Sequence, residues 1–122
     1  MILADTSVWI DHLRSSDERL VALLERTEVV MHPFVTGELA LRNLAQRAII
    51  LGTLQDLPQA SVASDEEVLH FIEKRSLLGR GIGYVDAHLL AAVQLTPVTS
   101  LWTRDKRLHA TAVSLSLAAK IV

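Results

Sequence analysis

The segment Tyr84–Leu95 is apolar almost all the way round, interrupted near its start by Asp86. A helix with no polar stripe must be covered on most sides, so the rest of the chain has to be built around it. Pro97 breaks the pattern, and Val98–Trp102 then reads as a buried strand. The chain opens with a similar pattern, since Met1-Ile2-Leu3-Ala4 is a short apolar run that stops at Asp5. At 122 residues the protein can bury roughly two-thirds of its unfolded surface, enough for one core without disulfide or structural metal.

Between these two strands the pattern alternates. Thr6 and Ser7 suit the cap of a helix through about Leu13, and Ser15-x-x-Glu18 has the spacing of a capping box ahead of Leu20, Val21, Leu23 and Leu24. Val29-Val30-Met31 predicts a strand, and Pro33 predicts a helix running to about Gln46 with its pattern resuming through Leu54. Residues 58 to 63 suit a short edge strand. Ser64-x-x-Glu67 is a second capping box, opening a helix to about Leu78 before a loop with Gly79, Gly81 and Gly83. Thr103 or Asp105 starts a final helix, and Ala118–Val122 suits another edge strand. Strands alternating with helices predict an α/β fold, a mostly parallel sheet of four or five strands, in a single domain over residues 1–122. No repeat or linker divides it.

Composition removes several chemistries. There is no cysteine, which excludes a disulfide scaffold, a thiol nucleophile, a zinc finger and an iron–sulfur site. The longest apolar stretches, such as Leu89–Val93, are too short to span a membrane, and no basic leader precedes the first apolar run. A cytoplasmic protein is expected. The net charge of −2 argues at first against a nucleic-acid partner. Setting aside four carboxylates neutralised by metal turns −2 into +2, so the sign of the remaining surface depends on whether the acids cluster.

Most of the fourteen acids have cheap explanations. Asp65, Glu66 and Glu67 crowd a helix amino terminus, as do Asp17 and Glu18, where the macrodipole favours anions. Asp11, Glu25, Glu28, Asp56 and Glu73 read as solvated surface. Four remain. Asp5 and Asp105 follow the carboxyl ends of strands, where open α/β sheets bind ligands. Asp86 interrupts the apolar helix, and Glu38 shares a helical face with Phe34, Val35 and Leu41. Plainer readings stay open: Asp5 and Asp105 suit helix caps, Asp86 a first helical turn, and Glu38 an ion pair with Arg42. If the fold brings the four together, repulsion is on the order of 4 kcal/mol per close pair at intermediate dielectric. Raised pKa values or divalent cations would relieve it, and oxygen ligands without His or Cys favour Mg²⁺ or Mn²⁺ over zinc.

The same residues resemble a known family. Leu3-Ala4-Asp5-Thr6-Ser7-Val8-Trp9-Ile10-Asp11-His12, Val35-Thr36-Gly37-Glu38-Leu39, the stretch from Gly79 through Asp86 to Ala92, and Leu101-Trp102-Thr103-Arg104-Asp105-Lys106-Arg107-Leu108 match the PIN-domain ribonucleases. The likeness is greatest to the VapC-type toxins of type II toxin–antitoxin modules, and order and spacing agree over nearly the whole chain. The resemblance implies a parallel sheet flanked by helices, with Asp5, Glu38, Asp86 and Asp105 as an acidic metal-binding quartet. It implies Mg²⁺-dependent endoribonuclease activity leaving a 5′-phosphate and a 3′-hydroxyl, homodimerisation, and inhibition by a cognate antitoxin. At one point the chain departs: after Asp105, where many relatives place another acid or an aromatic, it has Arg107-Leu108.

On this reading Asp5 and Asp86 hold the metal while Glu38 and Asp105 complete the site or position water. Thr6 and Thr103 support the carboxylates or only cap helices. Phosphate contacts dominate nucleic-acid affinity, so Arg80, Arg104 and Lys106 are the expected substrate-binding cations, with solvated surface charge as the plain alternative. Trp9, Phe34, Tyr84 and Trp102 lie near the acids and suit either base stacking or the core. His88 and His109 read as packed or surface groups. Two rivals differ in class. A phospho-receiver domain needs adjacent acids after the first strand, whereas Asp5 is followed by Thr6; a non-catalytic binding domain would tolerate loss of the carboxylates.

Overall fold

The computed structural model describes residues 1–121. Three parallel strands, β1 (Ile2–Ala4), β2 (Val29–Val30) and β3 (Ser100–Trp102), form a sheet in the order β2-β1-β3. Ile2 and Leu3 pair with Val29 and Val30 on one side, and residues 2–4 pair with residues 100–102 on the other. Seven helices surround it: α1 (Thr6–Arg14), α2 (Glu18–Glu25), α3 (Pro33–Ala40), α4 (Arg47–Asp56), α5 (Asp65–Lys74), α6 (Tyr84–Leu95) and α7 (Lys106–Ser114). The chain goes to one side of β1 for β2 and to the other for β3, so the strand order reverses at β1. Such a switch point opens a crevice at the carboxyl ends of the strands.

The sheet is narrower than the expected four or five strands. Residues 58–63 contribute one bridge, Met31 to Gln59, and the tail one bridge, Leu101 to Ala118. Pairing of the first segment stops after the bonds of Met31 to Pro58 and Ala60, because the next donor in the ladder would be Pro33, which has no amide hydrogen and opens α3; the Ser61 amide donates to Thr96 Oγ1 at 2.9 Å. Val122, the end of the expected tail strand, lies outside the described residues. The helix expected to run to Gln46 also ends early, at Ala40. Gln46 takes a left-handed conformation (φ 52°), and the Arg47 guanidinium donates to the carbonyls of Ala40 and Arg42, satisfying orphan acceptors at the end of α3. Leu41, expected on an inward face, is consequently exposed.

Local capping follows the chemistry with two shifts by a residue or two. The N-cap of α1 is Asp5 itself, whose Oδ1 accepts from Val8 N, and that of α2 is Asp17 and not Ser15. Ser64 and Glu67 form both bonds of their capping box. Helix α6 behaves as its composition demands: Ala87 through Val93 are all buried, packed against β3 and α5. Trp9 and Trp102 belong to the core.

His32 caps α3 in an unusual way. Its Nδ1 accepts from Phe34 N at 3.0 Å, its ring is fully buried, and its Nε2 has no partner among the described residues. Burial, with the neighbouring His88 adding, pulls its pKa down from 6.5 to about 4. A base whose folded pKa is depressed contributes stability that is present above its unfolded pKa and lost as pH falls. Protonation would also abolish the Nδ1 acceptor. Unfolding free energy is therefore expected to fall by about 3 kcal/mol from this group between pH 6.5 and pH 4. Urea titrations of the wild type and His32→Asn across that range check it; the variant, which keeps a capping acceptor, should lose less.

Candidate functional site

Four segments deliver the site. Asp5 sits where β1 gives way to α1, Glu38 lies in α3, Asp86 in the first turn of α6, and Asp105 between β3 and α7. Asp5 is 6 % exposed, Asp86 half-buried, and Glu38 and Asp105 exposed. One carboxyl group feels the charge of the other three. Asp86 is pushed above the usual carboxylate range, first by burial and then by the negative charges of Asp105, Asp5 and Glu38. The amide of Gly83, which donates to Asp86 Oδ2 at 3.0 Å, opposes that shift.

Hydroxyl groups hold the acids in place. Thr103 Oγ1, from a buried residue, donates to Asp5 Oδ2 at 2.5 Å, and Ser7 Oγ donates to Asp5 Oδ1. Thr6 Oγ1 donates to Glu38 Oε1 at 2.6 Å. The network continues through the backbone, since Arg104 N donates to Ser7 Oγ and Asp105 N to Thr103 Oγ1, both at 3.0 Å. The sequence pointed to Ser7 only as a helix cap, not as a partner of the Asp5 carboxylate. Its position two residues after Asp5, in the first turn of a helix that Asp5 caps, was the available signal.

The plain readings are realised alongside the convergence. Asp5 and Asp105 cap helices, Asp105 Oδ1 accepting from Arg107 N and Leu108 N at 2.9 and 3.0 Å, and Asp86 reaches back to the start of its helix. A carboxylate oxygen has lone pairs enough for a cap and a further ligand. Glu38 forms no ion pair with Arg42 among the described residues; its bond is to Thr6.

The expected cations divide. Arg104 is tied down, its guanidinium bonding Asp11 and Asp17 at 2.6 Å each, so Asp11 is more than a solvated charge. Arg80 reaches away to Ser114 Oγ at 3.0 Å and the Ser76 carbonyl. Lys106 is exposed in the first turn of α7. Near the site, Tyr84 and the buried His88 both bond Asp65 Oδ1, at 2.7 and 3.0 Å, and Phe34 lies 4.7 Å from His88, centroid to centroid. Tyr84 and Phe34 thus pack against His88, itself a packed group.

Among the described residues no three His, Asp or Glu side chains lie close enough together to hold an ion as they stand. The clearest surface grooves also lie elsewhere, one of them between α5 and α6 beside Phe71, Ala91 and Leu95. Neither point conflicts with a magnesium site. Mg²⁺ keeps several waters and takes one or two carboxylates, and the donor set here is all hard oxygen. The residues fit that ion.

Comparison with known proteins agrees with the architecture. Residues 2–114 match the model of the PIN domain. Two proteins named Ribonuclease VapC32, from the CDC 1551 and H37Rv strains of Mycobacterium tuberculosis, are each 50 % identical over 118 residues. The alignments cover 97 % of this chain and 95 % of each relative.

Proposed function

The chain belongs to the PIN-domain family, and on that premise we propose that it is a Mg²⁺-dependent endoribonuclease, the toxin of a toxin–antitoxin pair. The observation that carries the proposal is the Asp86 carboxyl, raised by burial and by three other acids drawn from three other segments. Capping accounts for single carboxylates, but the mutual repulsion of the four is offset when they share a cation.

Asp5 and Asp86 would hold the ion, and Glu38 and Asp105 would complete its surroundings or orient the attacking water. Bound Mg²⁺ would neutralise charge at phosphorus, activate water and assist the leaving 3′ oxygen, giving a 5′-phosphate and a 3′-hydroxyl. The hydroxyl groups of Thr103 and Ser7 fix the plane of the Asp5 carboxylate, and that of Thr6 aims Glu38. The same reading carries a homodimer and an inhibitory antitoxin, by likeness to the VapC ribonucleases. Among the described residues no helix is long and apolar enough to cross a membrane.

Metal removal tests it. Purified protein is expected to cut RNA with Mg²⁺ or Mn²⁺, to lose activity on chelation and to regain it when the ion is restored. Mapping the new RNA ends identifies the products. Cleavage that survives thorough chelation would overturn the mechanism.

A further inference from the structure

One arginine at the start of α7 has no side-chain partner among the described residues. The side chain of Arg107 forms no ion pair and no hydrogen bond there. Its backbone is anchored next to Asp105, whose Oδ1 accepts the Arg107 amide at 2.9 Å. Its guanidinium end lies across Gly81, two residues before the Gly83 amide that holds Asp86. The side chain therefore spans from the segment of one acid to the loop that positions another.

Gly81 makes that path possible. A Cβ at this position would come within 2.8 Å of Arg107 Cδ, closer than real Cβ atoms approach, and 3.0 Å of a guanidinium nitrogen, so the arginine would have to swing aside. Gly81 also has φ +74°, a conformation that side-chain-bearing residues avoid. The absent side chain thus leaves a seat for the arginine over the loop.

We propose that Arg107 contacts the phosphate backbone of an RNA substrate at the rim of the acidic pocket, seated there by the bare backbone of Gly81. The inference rests on the ribonuclease reading. Its chemistry is that of a planar cation with five donors, suited to bidentate phosphate binding. Two of the three basic residues expected from sequence are otherwise engaged, Arg104 by Asp11 and Asp17 and Arg80 by Ser114. An exposed guanidinium that lies over Gly81 and bonds no carboxylate among the described residues is poised to receive an anion that arrives with the substrate.

The test uses the full chain and a fluorescently labelled single-stranded RNA of mixed sequence. Arg107→Met keeps an unbranched stem against Gly81 and removes the charge. It is expected to weaken RNA binding and raise KM about tenfold, with kcat and Tm little changed. The slope of log K against log salt should shrink by about 0.7, the value for one phosphate contact on a single strand. Arg107→Lys should recover most of that slope. Gly81→Ala should reproduce the KM effect, and its combination with Arg107→Met should add little further, since both remove one contact. Wild-type affinity and salt slope in Arg107→Met overturn the inference, even if the variant loses binding to an acidic protein partner. Wild-type protein that neither binds nor cuts RNA overturns the ribonuclease reading itself, and the two failures are thereby distinguished.

Discussion

Asp86→Asn is expected to abolish RNA cleavage while raising the melting temperature of the metal-free protein. The two effects share one cause. Asn is nearly isosteric, and its amide oxygen can still accept from the Gly83 amide, so the start of α6 keeps that bond. What disappears is a half-buried negative charge that Asp105, Asp5 and Glu38 all oppose. Activity should fall by about 10³-fold or more, because several kcal/mol of charge stabilisation depend on holding the cation and each 1.36 kcal/mol is tenfold. Asp5→Asn should be equally inactive, but without a clear gain in stability, since its oxygens are tied by Thr103 and Ser7 and amide nitrogen cannot accept. Adding Mg²⁺ should raise Tm more for the wild type than for Asp86→Asn. RNA cleavage assays and thermal unfolding with and without Mg²⁺ read all of this. Undiminished cleavage by both variants would remove the acids from the mechanism.

Leu90→Ala is expected to be the most damaging of the simple core truncations, costing about 3–5 kcal/mol and lowering Tm by roughly 10–20 °C. Leu90 is fully buried at the middle of α6, with buried Leu89 and Ala91 beside it and neighbours from β3 and α5 that cannot all close over a void. Leu95, five residues along the same helix, is 46 % exposed, and Leu95→Ala should cost less than about 1 kcal/mol. Chemical denaturation of the two variants side by side distinguishes a helix sandwiched on most sides from one lying on the surface. Equal losses would mean that α6 is not the central element.

Much of the fold is legible in short stretches of sequence. The strand at Ile2–Ala4, the Ser100–Trp102 part of the expected strand Val98–Trp102 (Val98 itself is exposed, with φ 52°), the capping box at Ser64 and Glu67, and the burial of α6 follow from patterns spanning only a few residues. The departures lie where long-range contacts compete with local ones. Residues 58–63 have the composition of an edge strand, yet the segment facing them turns into α3 at Pro33, which has no amide to continue the ladder. Residues 41–46 continue a helical pattern, yet Arg47 caps the preceding helix from outside it. Glu38 and Arg42 have the spacing of a helical ion pair, yet a threonine 32 residues distant captures the carboxylate.

The acids divide along the same line. Sequence alone determined which carboxylates lacked a cheap explanation and, through the four matching blocks, to which family the chain belongs. It determined this because strand ends, helix faces and motif spacing are local properties of the chain. Only tertiary structure decided that Asp86 feels Asp5, Glu38 and Asp105 together, that Ser7 and Thr103 grip the same carboxylate, and that Arg104 is spent on Asp11 and Asp17 while Arg107 lies unpaired over Gly81. Charge–charge and hydrogen-bond energies depend on distances of a few ångströms between groups up to about a hundred residues apart, and no one-dimensional pattern encodes those distances.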